Sequence, residues 1–278
     1  MTSPLSPLPE YTQPPVSEMV LGVQFEPPEK LGVVHLGLAW QEFRNRYPRV
    51  EQQPPLPPAF ERFDLRPPRP VRINLELVTG QLLPRLWFIT EDGRRLLQVQ
   101  RDRFIRNWRK MDGREEYPRY RQLRADFSEE LTTFAVFLER ERLGPLQPNQ
   151  CEVTYVNELM AKQAGTDLGG LSRVMSTWSP LDSDDFPARL EDVTQEMRYV
   201  IPDPDGRPVG RLRVILQPVQ SASSGQQAYR LRLTAQGRPI GSGLEGVFRF
   251  FDVGHEWAVR CFTAITAPDM HQAWGRLR

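Results

Sequence analysis

The fold is set by residues 96–109, which read LLQVQRDRFIRNWR. Apolar and polar residues alternate through this region, as in a strand that buries one face. Just before it, Glu91-Asp92-Gly93 separates two alternating segments, at residues 86–90 and 95–103. An acidic residue followed by glycine between two such segments is typical of a β-hairpin turn. The sequence therefore predicts antiparallel strands here.

The same alternation recurs along the chain. It predicts strands near residues 19–25, 71–77, 151–155, 197–201, 212–216 and 229–233. Apolar residues spaced by three and four predict helices near residues 36–47, 126–143 and 244–265. Asp126 with Glu129, and Ser242 with Glu245, match capping boxes at the starts of the second and third helices.

Both halves of the chain thus contain a strand, a variable insert, a three-stranded meander and a helix. Helices that lie only at the ends of meanders indicate an α+β arrangement. We predict two similar subdomains, each a meandering antiparallel sheet backed by helices on one face. Their bounds are 16–148 and 149–278, after a disordered proline-rich N-terminus at residues 1–15. The proline cluster at residues 54–58 predicts a stiff polyproline connector.

The composition is ordinary for a globular protein, with 278 residues, 39% of them hydrophobic and 26% charged. The net charge of +1 provides no bulk attraction to nucleic acid or to an anionic membrane. Two cysteines are too few for a disulfide framework, and we interpret Cys151 and Cys261 as buried free thiols. Because the chain has no signal peptide and no apolar span, we expect a cytoplasmic protein without membrane association.

Three segments carry a family resemblance: LLQVQRDRFIRNWR at 96–109, PPVSEMVLGVQF at 14–25 and VTYVN at 153–157. In these segments the chain resembles a sporadically distributed bacterial family of cytoplasmic proteins that has no assigned activity. The resemblance covers residues 8–276 and supplies no catalytic residues. The patchy distribution of that family implies a role in a sporadically inherited system, such as defence or toxin neutralisation.

The region between residues 85 and 124 has a strong charge pattern. Its basic residues are twice as numerous as its acidic residues, and aromatic residues are interleaved with them. This pattern fits single-stranded nucleic acid, through phosphate contacts and base stacking. It also fits internal or protein–protein pairing, because residues 181–205 carry eight acidic residues against two arginines. The interaction candidates are Arg101, Arg103, Arg106, Trp108 and Arg109. We expect Trp108 to be a packing anchor, covered by residues 117–120.

Arginines also alternate with apolar residues in two later strands, at Arg211, Arg213, Arg230 and Arg232. If these strands pair, the four side chains line one face of a sheet, where like charges repel. Such a face needs acidic neighbours or an anionic partner.

The last predicted helix contains a candidate site. Asp252 and His255 are three residues apart and therefore share a face. They suit either a general acid/base pair or a histidine that a local carboxylate holds in place. Val259 stands where a zinc-binding H-E-x-x-H motif needs its second histidine, so we expect no metal. Residues 241–246 match G-x-G-x-x-G, but no strand is predicted after this helix, so we expect no dinucleotide cofactor.

Together these features favour a non-catalytic recognition or interaction protein, with a protein partner or self-association and without a cofactor. One alternative is a nucleic-acid-binding protein that uses residues 85–124 and the arginine-lined sheet face. A second alternative is a small-ligand or catalytic pocket between the last helix and the sheet, with Asp252 and His255 at its rim.

Overall fold

The computed structural model describes residues 6–63, 83–111, 115–160, 168–179, 192–220, 225 and 227–277. The strands are β1 (Val16–Phe25), β2 (Arg49–Gln53), β3 (Arg85–Ile89), β4 (Arg95–Gln100), β5 (Arg103–Arg109), β6 (Pro148–Met160), β7 (Gln195–Pro202), β8 (Pro208–Gln220) and β9 (Gln227–Gly237). The helices are α1 (Val33–Phe43), α2 (Arg119–Arg140), α3 (Gly243–Ile265) and α4 (Pro268–Ala273), with a short 3₁₀ helix at Leu168–Arg173. The strand predicted at residues 71–77 lies outside the described residues.

The strands form one nine-stranded antiparallel sheet in the order β2-β3-β4-β5-β1-β6-β9-β8-β7. An α+β fold with an antiparallel sheet is therefore confirmed. The two meanders do not form separate sheets, however, because β1 pairs directly with β6 and joins them into one. The turn at residues 91–93 is confirmed by the left-handed backbone of Gly93 and its hydrogen bond to the carbonyl of Thr90.

One face of the sheet carries the hydrophobic core. The alternating residues Met19, Leu21, Val23 and Phe25 of β1 are buried there. The long helices α2 and α3 lie side by side over this face, where the rings of Phe127 and Phe251 are 5.2 Å apart. We call this the helix face and the opposite one the open face. Since successive strand residues point to opposite faces, the strand register determines which side chains reach each one.

The start of α2 differs from the prediction. The helix begins at Arg119, after Pro118, so Asp126 lies within it and is not a cap. Asp126 is instead buried beside Arg106 of β5, with 2.7 Å between Nη2 and Oδ2. Glu130, one turn further on, is 2.9 Å from Nε of Arg106 and accepts a hydrogen bond from the Tyr47 hydroxyl. The capping box at Ser242 is also wrong, because its side chain makes no capping hydrogen bond.

The segment before β1 is ordered at its junction with the C-terminus, although disorder was predicted for residues 1–15. Thr12 and Gln13 donate backbone hydrogen bonds to the carbonyls of Gly275 and Trp274. Tyr11 is 5% exposed and packs edge-on against Phe262. Apolar burial of Tyr11, together with these backbone bonds, offsets the entropy that this segment loses on ordering.

Trp108 supports a prediction about stability. Its side chain is 4% exposed, and its ring meets that of Tyr117 edge-on at 5.6 Å. Trp108→Ala should lower the free energy of unfolding by about 3–5 kcal/mol, because it leaves a large cavity in the core. Urea denaturation followed by circular dichroism measures this loss. Trp87→Ala on the open face is the control and should cost less; an unchanged midpoint for Trp108→Ala would contradict its role as an anchor.

Candidate ligand-binding pocket

A cavity of about 260 Å³ lies on the helix face, between α3 and the start of α2. Its floor is formed by the middle of β6 and β9, and residues 8–14 cross its mouth. The lining is mostly apolar and aromatic, with Tyr11, Tyr117, Tyr120, Tyr155, His255 and Phe262 among its members. A largely apolar cavity with few polar groups is the usual form of a small-molecule site.

A chain of hydrogen bonds runs through the wall of this cavity. The Tyr117 hydroxyl donates to the Tyr155 hydroxyl at 3.3 Å. The Tyr155 hydroxyl lies 2.8 Å from Nδ1 of His255. Tyr120 stacks flat on the histidine ring, with 3.9 Å between the ring centroids and 11° between the planes. The stack on Tyr120 therefore fixes the plane of the imidazole ring, and the contact with Tyr155 fixes its rotation within that plane.

The side chains that form this hydrogen-bond chain are uncharged near neutral pH. Burial lowers the pKa of His255 to about 4, and the charge of Asp252 offsets this only in part. Burial also raises the pKa of Tyr155 well above its ordinary value. Since the hydroxyl of Tyr117 donates to Tyr155, the hydroxyl of Tyr155 is free to donate to Nδ1 of His255. The neutral ring then carries its proton on Nε2, for which the described residues provide no acceptor.

Asp252 does not contact His255 directly. Its carboxylate accepts a hydrogen bond from the Tyr120 hydroxyl at 2.7 Å. It also forms an ion pair with Arg124, with 2.7 Å between Oδ1 and Nε. The expectation that a local carboxylate would hold the histidine is thus replaced by an indirect arrangement. Asp252 positions Tyr120, and the Tyr120 ring covers the imidazole.

Arg119 holds the segment that crosses the mouth of the cavity. Its guanidinium donates to the backbone carbonyl of Tyr11 at 2.7 Å and to that of Thr12 at 3.2 Å. Its backbone has a φ of 67°, which is uncommon for a residue other than glycine. On the opposite wall, the Tyr11 hydroxyl bonds to Oγ1 of Thr263 at 2.8 Å. Residues 8–14 therefore close the cavity through a small number of polar contacts.

The sequence singled out His255 and Asp252 but not the three tyrosines that complete the site. Tyr117 and Tyr120 belong to the aromatic residues of the charged region at 85–124 and are expected to cover Trp108, and Tyr155 lies in a predicted strand, but no pattern in the sequence connects them with His255. Their position near His255 depends on the pairing of β6 with β1 and on where α2 begins. The presence of aromatic residues in an irregular stretch was the one available signal.

The arginines of the charged segment are separated by the two faces of the sheet. Arg106 is buried on the helix face, in the ion pairs with α2 described above. Arg103 and Arg109 lie on the open face and donate to the backbone carbonyls of Pro57 and Gly93. Arg101 is exposed in the turn between β4 and β5. The described partners of Arg106 belong to the first half of the chain. Residues 180–191, which contain most of the predicted acidic partner segment, lie outside the described part, so its pairing with the arginines stays a prediction.

The arginines of β8 and β9 do share the open face. Arg211 pairs with Glu61 at 2.8 Å, Arg213 with Glu196 at 3.4 Å and Arg230 with Glu158 at 3.9 Å. Arg232 has no side-chain partner among the described residues. An open cleft of about 210 Å³ brings the two arginine groups together, since its lining includes Arg109, Lys110, Arg230 and Arg232 with the acids Glu18 and Glu158.

The glycine motif serves the connection into α3. Gly241 and Gly243 have left-handed backbones, and a Cβ on Gly246 would lie 2.8 Å from the backbone of Gly241. The short helix α4 follows α3, and the described chain continues with no further strand. Among the described residues, no three His, Cys, Asp or Glu side chains are grouped as metal ligands. Within the same ranges, no helix is long and apolar enough to cross a membrane.

Comparison with known proteins gives no relative: no protein-family model and no curated protein matches the chain.

The lowered pKa of His255 predicts a pH dependence of stability. The unfolded chain binds a proton at this residue below about pH 6.5, whereas the folded chain binds it only near pH 4. Protons thus favour the unfolded state as the pH falls through this interval, and stability falls with it. The loss should reach as much as about 3 kcal/mol between pH 7 and pH 4. Urea denaturation across this range measures it.

The variant His255→Asn isolates this contribution, because asparagine does not titrate. Its free energy of unfolding should fall less steeply than that of the wild type between pH 7 and pH 4. Parallel curves for the two proteins would show that His255 is not the titrating group.

Proposed function

We propose that this protein is a non-catalytic recognition protein and that the cavity between α3 and the sheet is its ligand-binding site. The observation that carries the proposal is the unpartnered Nε2–H of His255 in an aromatic cavity. A donor held rigidly by Tyr155 and Tyr120, but without an acceptor, suits a ligand that supplies one.

The aromatic wall of the cavity favours an uncharged ligand. Charged residues also stand in the lining, namely Glu10, Arg119 and Arg121, and the guanidinium of Arg119 is bonded to the carbonyls of Tyr11 and Thr12. The tyrosines of the wall and His255 are neutral at physiological pH, because burial penalises their charged forms. The expected ligand has a compact apolar or aromatic body and a carbonyl or similar acceptor directed at His255. The same neutrality argues against acid/base catalysis, since a general base needs a pKa near the working pH.

Benzamide is a suitable probe because it combines a neutral ring with a carbonyl acceptor. Saturation-transfer NMR should detect its binding, and benzoate and benzylamine, of similar size but charged, should bind more weakly. His255→Phe retains a ring and removes the Nε2–H, so the affinity should fall about tenfold, as expected for one lost hydrogen bond. Tyr199→Phe on β7 is the matched control and should bind like the wild type. Equal binding of all three probes, or no change in His255→Phe, would contradict the proposal.

The cleft on the open face favours a second candidate function, the binding of single-stranded nucleic acid. Its cations outnumber its acids, and Arg232 has no partner among the described residues. If nucleic acid binds, an oligothymidine should bind in fluorescence anisotropy with an affinity that falls steeply with salt. The pair Arg230→Ala and Arg232→Ala should remove that binding, whereas Arg207→Ala and Arg249→Ala, which remove equal charge elsewhere, should not. An absence of binding at low salt would exclude this candidate.

We also propose two points about origin. The first is that the two halves of the chain arose by duplication of one unit, and the second is that the protein belongs to the sporadically distributed bacterial family. The strand order supports the first point: each half has one central strand, a meander that returns beside it, and a long helix that follows. The three segments that resemble the family support the second point. They fall on β1, on β4 with β5, and on β6, close to the centre of the sheet.

A further inference from the structure

A proline-rich segment crosses the open face of the sheet at the end opposite the basic cleft. It consists of residues 54–63, which read PPLPPAFERF, and we call it the strap. Every residue of the strap is half-buried or exposed, so none belongs to the hydrophobic core. Its backbone is nevertheless held by side chains from several strands. The strap therefore lies on the sheet in the way that a bound peptide lies on a receptor.

Four side chains in one row form hydrogen bonds with the backbone of the strap. Gln100 of β4 accepts from the N–H of Leu56 and donates to its carbonyl, both at 2.8 Å. Arg103 of β5 donates to the carbonyl of Pro57. The N–H of Ala59 donates to Oε1 of Gln24 of β1 at 2.9 Å. The N–H of Glu61 donates to Oε1 of Gln150 of β6 at 3.4 Å.

The sheet register makes these four side chains a continuous row. Gln100 is opposite Arg103, Arg103 is opposite Gln24, and Gln24 is opposite Gln150. Four adjacent strands span about 14 Å across a sheet. A polyproline II chain advances about 3.1 Å per residue, so the five steps from Leu56 to Glu61 cover about 15 Å. The row thus matches the length of an extended proline-rich segment of six residues.

Arg211 of β8 extends the row at its far end. Its Nε is 2.8 Å from the carboxylate of Glu61, and its Nη2 donates to the carbonyl of Arg62 at 2.9 Å. The guanidinium also lies over the ring of Phe63, 5.3 Å from its centroid. We call Gln100, Arg103, Gln24, Gln150 and Arg211 the peptide track.

The strap is an incomplete ligand for this track. Gln100 uses both its carbonyl oxygen and its amide nitrogen on Leu56. Gln150 is only 2% exposed and uses its oxygen on Glu61, but its Nε2 has no partner among the described residues. A buried amide donor without an acceptor is destabilising. An extended chain that presents a carbonyl to Gln150 would satisfy that donor.

The groups of the sheet that hold the backbone of the strap are polar. The side chains beneath it that bind its backbone are glutamines and arginines, which water can satisfy in its absence. The effective concentration of the strap is set by its attachment at β2, so an external peptide has to bind better or be abundant in order to replace it.

We propose that the peptide track is a binding site for an extended, proline-rich segment of a partner protein, and that the strap occupies it until such a segment displaces the strap. The partner is recognised by its backbone N–H and carbonyl groups and by the spacing of the polyproline II conformation. This site is on the face opposite the ligand cavity and does not depend on it.

The experiment uses the full chain with residues 54–63 replaced by a Gly/Ser segment of the same length. A fluorescein-labelled peptide with the sequence of residues 52–63 should bind this variant saturably in fluorescence anisotropy. The wild type should bind it at least tenfold more weakly, because its own strap competes. Adding Gln24→Ala and Gln100→Ala to the Gly/Ser variant should reduce the affinity about tenfold or more.

The matched control is the same peptide with N-methyl groups on Leu56 and Ala59. These methyl groups replace the two N–H hydrogens that donate to Gln100 and Gln24, so the binding of the modified peptide should be lost. Equal binding of both peptides, or no binding to the folded Gly/Ser variant, would overturn the proposal. A dimer of the wild type in light scattering would assign the track to straps exchanged between two copies and would overturn the assignment to a partner protein.

A second measurement applies if the Gly/Ser variant does not fold. Excess unlabelled peptide added to the wild type should displace the strap and accelerate tryptic cleavage after Arg62, followed by mass spectrometry. The N-methylated peptide should have no effect. An unchanged cleavage rate with saturating unmodified peptide would count against displacement.

Discussion

The pairing of β1 with β6 is the constraint on which the rest of the structure depends. It joins the two meanders into one sheet, and its register assigns the side chains of both sites. Tyr155 is opposite Met19 and faces the helices, where it meets His255. Gln150 is opposite Gln24 and faces the other way, beneath the strap. A slip of one residue would exchange these faces, removing the hydrogen-bond chain and the peptide track together.

A buried charged cluster holds the elements of the helix face together. Arg106 lies between Asp126 and Glu130, and Tyr47, in the connection after α1, donates its hydroxyl to Glu130. Burying these charges carries a large desolvation cost, which their mutual attraction and hydrogen bonds offset. Loss of one partner would leave an uncompensated buried charge, so the cluster ties α1, β5 and α2 to a single arrangement.

The sites proposed on the two faces of the sheet differ in their chemistry. On the helix face the cavity has neutral aromatic groups and one oriented donor, which suits a small uncharged ligand. On the open face glutamines and arginines bind the main chain of an extended segment and leave its side chains largely exposed. In both proposed sites the donors and acceptors are positioned through strands of the same sheet.

Period-two alternation in the sequence was sufficient to determine most strands and the α+β class, because it reports directly which residues face a core. Apolar residues spaced by three and four likewise determined α3, whose apolar stripe is long and regular. Tertiary structure alone decided that β1 pairs with β6, that Asp126 is buried beside Arg106 and not a cap, and that Tyr117, Tyr120 and Tyr155 meet at His255. Alternation specifies the face of a residue but not its neighbour across the sheet, and these contacts join residues far apart in the chain. Their geometry depends on packing, which no local pattern encodes.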